Sequence, residues 1–191
     1  MLKSGLRKKY LAEQKAFSPV ERTRKSKLIG ELFFAHFDLN SINFLHCFLP
    51  IEKFNEIDTR MILQKVRHEF PHVQTLVPRV NFATGEIENL LFTDETELAP
   101  NIWEISEPTH SGLIETQRID AVLVPLVCFD AQGFRVGYGK GFYDKFLKNC
   151  RADCLKIGLS FFPPVEKIED AQHFDVRLDY CITPEEVFGF K

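Results

Sequence analysis

Residues 121–130 read AVLVPLVCFD, and residues 131–144 that follow read AQGFRVGYGKGFYD. The nine apolar residues 121–129 show no alternation of polar and apolar side chains, so a strand there must be covered on both faces, as in a parallel sheet between helices. Similar stretches recur outward from it: INFLHCFL at 42–49, residues 73–77, LKIGLSF at 155–161 and residues 179–183. Helical patterns separate them. Ser18-Pro19-Val20-Glu21 offers an N-cap hydroxyl, a proline at the first helical position and a glutamate at the third, which predicts a helix over 19–37. Asp58 or Thr59 should cap a helix through residue 69, with Ile62 and Val66 one turn apart, and residues 140–150 predict another. Pro184-Glu185-Glu186 reads as a short helical turn. Together these predict an α/β chain, residues 1–191 forming a single three-layer domain. Its largely parallel central sheet is flanked by helices in the manner of a Rossmann-like open sheet. Ligands in such sheets bind beyond the carboxyl ends of the strands.

Length and charge narrow the classes further. The chain has 191 residues, 45% of them hydrophobic and 27% charged, as expected of a globular protein. The longest apolar run is less than half of the roughly 20 residues needed to span a bilayer, so no membrane partner is expected. Its net charge of −3 conceals an asymmetry: residues 1–27 carry nine basic groups against two acidic ones, a net of +7, which leaves −10 for the remainder. No apolar segment of the secretory kind follows those charges. Five cysteines, an odd number without a C-x-x-C pair, predict reduced buried thiols in a cytoplasmic protein. The six histidines show no zinc-ligand spacing.

The segment FRVGYGKGFYD at 134–144 carries the chemistry. Glycines alternate at 137, 139 and 141, and glycine both permits positive φ and removes the Cβ atoms that keep a backbone away from phosphate oxygens. Lys140 adds a cation, and a helix starting near Gly141 would direct its positive end to the same place. The pattern matches neither the P-loop nor the dinucleotide fingerprint. Taken alone, the glycines therefore read equally as a tight connection needing positive φ angles or as a phosphate-binding loop. Arg135, Tyr138, Lys140, Tyr143 and Asp144 around them add cations, rings and a carboxylate, a set able to hold a nucleotide with its metal and stack a flat ring.

With the strand before it, this segment resembles the signature of 5-formyltetrahydrofolate cyclo-ligase, also called methenyltetrahydrofolate synthetase. Further matches occur in order: Lys3-x-x-x-Arg7, Asn55-Glu56-Ile57-Asp58-Thr59, Pro78-Arg79, Trp103-Glu104-Ile105 near Glu107-Pro108, and residues 173–179, HFDVRLD. The resemblance implies an enzyme that uses ATP to close 5-formyltetrahydrofolate to 5,10-methenyltetrahydrofolate, releasing ADP and phosphate with Mg²⁺ as cofactor. By similarity ATP would contact Lys3, Arg7, Arg135, Val136, Gly137, Tyr138, Gly139, Lys140, Gly141, Phe142 and Tyr143. Lys140, Tyr138 and Arg135 would be catalytic, and Asp144 and Asp175 would hold the metal. Folate would meet Ile51, Glu56 and Trp103 together with loop residues 138–142. Glu56 alone reads as a surface acid before a helix, and Trp103 as either a stacking platform or a core residue. Tyr138 and Phe142 stand where some family members carry arginine and tyrosine. The competing classes are a nucleotide or folate binder without turnover, and a nucleic-acid module using the +7 segment. The −10 remainder and the lack of a nucleic-acid motif argue against the latter. A monomer is expected.

Overall fold

The structure is a computed structural model that describes residues 1–101 and 105–190. Helices α1 (Lys3–Ala16) and α2 (Pro19–His36) precede strand β1 (Phe44–Cys47). A 3₁₀ turn (Glu52–Phe54) and helix α3 (Arg60–Glu69) lead to β2 (Gln74–Asn81), β3 (Glu86–Leu91), β4 (Leu98–Pro100), β5 (Ser106–Pro108) and β6 (Leu113–Ile114). After a second 3₁₀ turn come β7 (Ala121–Pro125), β8 (Cys128–Phe129), β9 (Arg135–Val136), α4 (Phe142–Lys148), β10 (Leu155–Leu159), β11 (Tyr180–Ile182) and β12 (Val187–Gly189).

Among the described residues eight strands form one sheet in the order β12-β11-β10-β7-β1-β2-β3-β6. Its five central strands are parallel, with Leu45 of β1 opposite Thr75 on one side and Ala121 on the other. Counted along the chain, these five stand in the order 5-4-3-1-2. The winding therefore reverses between β1 and β7, where a crevice opens at the carboxyl ends of both strands. The edges are antiparallel: β3 and β6 beyond β2, and β12 beyond β11.

Alternation along each strand sends side chains to two covered faces. Leu45, Cys47 and Leu123 pack with Ile29 and Phe33 of α2 and Ile62, Leu63 and Val66 of α3. Phe44, Val122 and Val124 face the other way, onto Phe146 and Leu147 of α4. Each such fully buried side chain stabilises the fold by about 1.5–3 kcal/mol. The α2 start is as the sequence predicts, the Ser18 hydroxyl accepting the Glu21 N–H at 3.2 Å.

Three expectations are corrected. The apolar run 121–129 is not one strand: β7 stops at Pro125, which has no N–H to continue the ladder. Cys128–Phe129 instead pairs with Arg135–Val136 in a separate hairpin turned by Gly133 at φ +84°. That hairpin carries α1, whose Leu6 packs on Cys128, Val136 and Ile168. The helix after the glycine loop is shorter than 140–150, starting only after Gly141 has taken φ +72°. Pro184-Glu185-Glu186 is not helical. The Thr183 hydroxyl accepts the N–H groups of Glu185 and Glu186, making the turn between β11 and β12.

Candidate active site

Two segments frame the crevice at the switch point. The first, residues 48–59, leaves β1 and returns into α3, pinned by the Thr59 hydroxyl donating to the Phe48 carbonyl at 2.5 Å. Asn55 bends it with φ 55° and donates to the carbonyls of Gln14 and Phe17, tying it to the end of α1. The second is the glycine loop, led out by β9 and closed by α4.

Glu56 belongs to the first segment and is 3% exposed. Its carboxylate accepts the Ile51 N–H at 2.6 Å and is hydrogen-bonded to the Tyr138 hydroxyl. Arg22 of α2 bonds the Glu56 carbonyl and the Glu52 carboxylate, both at 2.5 Å, so it braces the segment. Burial pushes the Glu56 pKa up to about 7, against the lowering effect of Tyr138, the Ile51 N–H and Arg22. Burial likewise holds the Tyr138 phenol well above its ordinary range, and the charge of Glu56 adds to this. The Tyr138 ring stacks on Phe54 at 5.1 Å. A cavity of only about 10 Å³ remains between Gln14, Phe48, Glu56, Pro125 and Tyr138, room for about one water. In this state the tyrosine fills the space in front of the carboxylate.

Cations and carboxylates gather on the other side of the loop. Lys3 and Arg7 lie one turn apart on α1, on either side of the buried Leu6. Lys3 Nζ meets Asp175 at 2.5 Å, and Arg7 Nε donates to the Gly137 carbonyl at 2.7 Å. The Arg7 guanidinium also lies against Gly139, which holds φ +93°. Arg135 is 8% exposed, pairs with Asp144 at 2.7 Å and donates to the Val176 carbonyl. Burial alone would raise the Asp175 pKa, but the Gln172 N–H, Lys3 and Arg135 bring it below the ordinary carboxylate value. A Cβ added at Gly137 or Gly141 would meet nothing within 4 Å, so the backbone there lies open to an approaching ligand. Lys140 stands on the exposed side of the loop.

The structure thus brings Lys3, Arg7, Arg135, Asp144 and Asp175 to one end of the cleft, and Ile51, Glu56 and Tyr138 to the other. Val136 is placed differently: its side chain is core beneath α1 and its carbonyl accepts the Val127 N–H, so neither is turned toward a ligand. Phe142 packs edge-on to Phe82 of the β2–β3 connection. Trp103 lies outside the described residues. Sequence reading overlooked Gln14, Arg22 and Phe54 as parts of the site; Arg22 was hidden among the basic residues of the +7 segment. That segment is not a loose arm but α1 and α2, several of its cations turned inward or laid on rings, such as Lys15 on Phe54 and Lys25 on Phe17.

Opposite charges held in matched pairs beside a glycine loop, at the switch point of a doubly wound sheet, define the class: an α/β enzyme that handles charged ligands. The chain belongs to the 5-formyltetrahydrofolate cyclo-ligase family, a family of ligases, whose profile matches residues 1–184. It is 28% identical to 5-formyltetrahydrofolate cyclo-ligase of Mus musculus over 78% of this chain and 74% of that protein. With the enzyme of the same name from Mycoplasma pneumoniae it shares 25% identity over 97% of this chain and all of the other. Among solved structures it resembles the NMR structure of Aquifex aeolicus 5,10-methenyltetrahydrofolate synthetase, with a TM-score of 0.84 and 28% identity. That match covers all of this chain and 94% of the other.

Proposed function

We propose that the protein closes 5-formyltetrahydrofolate to 5,10-methenyltetrahydrofolate at the expense of ATP, with ADP and phosphate as the other products. One observation carries the reading: a buried, proton-poised carboxylate and a cluster of cation–carboxylate pairs share one cleft, separated by the glycine loop. The formyl oxygen of the substrate is a poor leaving group. Transfer of the γ-phosphoryl to it forms an O–P bond as the bond to ADP breaks, and the N10 amine then attacks the formyl carbon. Phosphate leaves with its electron pair and the amine proton is lost. Positioning and neutralisation of charge dominate phosphoryl transfer, and this chain supplies both.

The pairs Lys3–Asp175 and Arg135–Asp144 are storage contacts in this reading. Phosphate oxygens take over Lys3, Arg7 and Lys140, which releases carboxylate oxygens. Two carboxylates form a hard donor set that suits Mg²⁺, so Asp144 and Asp175 are the residues that would hold it; the metal when bound neutralises phosphate charge. Arg135 would give up Asp144 and keep the Val176 carbonyl, so it still fixes the loop and adds positive potential. At the other end the planar donors of the pterin replace the Tyr138 hydroxyl on Glu56, with Phe54 and Tyr138 moving aside to cover the ring. Ile51 presents its N–H to Glu56 and so holds the carboxylate at the folate end of the cleft. The protein works as a monomer in the cytoplasm, with ATP and the reduced folate as partners and no role in binding nucleic acid or membrane.

The test is turnover of 5-formyltetrahydrofolate with MgATP, followed by the absorbance of the methenyl product. Lys140→Met and Asp144→Asn should each lower kcat by about a hundredfold with folding intact. Wild-type-like turnover by both would refute the assigned chemistry.

A further inference from the structure

Helix α1 lies on the surface and buries only two of its residues, Leu6 beneath the cation pair and Gln14 two turns further on. Leu6 is packed in an apolar cluster, as a helix face requires. Gln14 is a different case: a long polar side chain, 3% exposed, whose burial costs free energy unless its amide is satisfied. Its Nε2 donates to the Phe54 carbonyl at 2.7 Å, which fixes which way round the amide stands, and its backbone carbonyl accepts from Asn55 at 2.9 Å. An amide nitrogen carries two hydrogens. The bond to Phe54 uses one, and the second is free to face the site.

Among the described residues that border the small cavity in front of Glu56, only Gln14, Glu56 and Tyr138 carry polar side chains. The Tyr138 hydroxyl is hydrogen-bonded to both of the others. A phenol has one hydrogen, and toward an ionised carboxylate it must donate it. Its contact with Gln14 is therefore made by the oxygen, accepting from the amide. Tyr138 thus presents a donor to Glu56 and an acceptor to Gln14 side by side. A ring that takes its place has to offer the same pair, which is what the lactam edge of a pterin carries: the N3 hydrogen beside the 4-oxo group. We propose that Gln14 is a specificity-determining residue that reads the 4-oxo group: once Tyr138 has moved aside, its amide N–H donates to that oxygen while Glu56 accepts from N3. This assignment rests on the folate reaction proposed above.

The test is calorimetric binding, at pH 8, of 5-formyltetrahydrofolate and of its analogue with an amino group in place of the 4-oxo. The analogue turns a donor toward Gln14 and has no N3 hydrogen for Glu56, so the wild type should bind it about a hundredfold more weakly. Gln14→Met keeps the length of the side chain without its amide. It should weaken binding of the 4-oxo ligand about tenfold, the worth of one buried hydrogen bond, and leave the analogue within about threefold, so that the preference narrows. Should Q14M not fold, the same ratio is read in Gln14→Glu, whose acceptor faces the 4-amino group and narrows the preference further. A residue that served only to hold Phe54 would weaken both ligands alike. No preference in the wild type, or an unchanged preference in the folded variant, overturns the role of Gln14 while wild-type turnover leaves the reaction standing. Folded wild-type protein that neither binds nor turns over 5-formyltetrahydrofolate overturns the reaction and this role together.

Discussion

Replacing Glu56 by glutamine should make the protein more stable and less able to bind folate, and both effects should depend on pH. The carboxyl is buried under Tyr138, and its pKa stands near 7 instead of the ordinary 4.5. The unfolded chain therefore gives up this proton first, and folding stability is lost as pH rises from about 4.5 to about 7, then levels off. At ~1.36 kcal/mol per pH unit the ionised carboxylate costs the fold about 3 kcal/mol above pH 7. Glutamine has the same shape, accepts the Ile51 N–H with its oxygen, and offers its amide to the Tyr138 oxygen, so the charge cost disappears without a lost contact. Urea unfolding should show the variant more stable than wild type by about 3 kcal/mol at pH 8 and by less than about 1 kcal/mol at pH 5. Folate affinity should fall about tenfold to a hundredfold at pH 8, because the amide meets pterin donors with a donor of its own. Equal stability changes at the two pH values, or a less stable variant at pH 8, would refute the electrostatic reading of this residue.

The same carboxyl gives the wild-type kcat/KM for folate an acid limb with its midpoint near pH 7, since the ionised form binds. Tyr138→Phe removes a hydrogen bond that lowers the Glu56 pKa, so that limb should move to higher pH in the kcat/KM profile; a shift to lower pH would contradict the assignment. Gly139→Ala places a side chain at φ +93° and against the Arg7 guanidinium, and should destabilise the loop by about 1–2 kcal/mol and weaken ATP binding in calorimetry. Phe33, fully buried between α2 and the sheet, should cost about 3–5 kcal/mol on replacement by alanine, measured by chemical unfolding.

What could be read from the sequence, and what could not, follows from which forces are local. Buried parallel strands need apolar side chains on both faces, so β1, β7, β10 and β11 announce themselves. A serine cap and a proline fix the start of α2 through neighbours within three residues. The break at Pro125 is decided by a hairpin whose partner strand lies beyond a turn. The antiparallel ribbon β2–β3–β6 is fixed by pairing across up to 25 residues, as at Asn89 opposite Ile114, and leaves little trace in periodicity. Within the site, the loop was legible because glycines at alternate positions are rare without a backbone reason. Arg22 was not, because one arginine among nine cations looks like its neighbours until Glu56 is placed beside it. His46, in the apolar stretch LHCFL, reads as a core histidine; only the approach of β3 and α4 gives its two nitrogens distinct partners.

The central claim is that ATP cleavage and ring closure occur together in the cleft between Glu56 and the glycine loop. The direct measurement is the stoichiometry of products when the purified protein is mixed with MgATP and 5-formyltetrahydrofolate. One ADP and one phosphate should appear for each methenyl product formed, and none of the three when either substrate is omitted. ADP release without methenyl product, or saturable binding of both substrates with no product, would contradict the account.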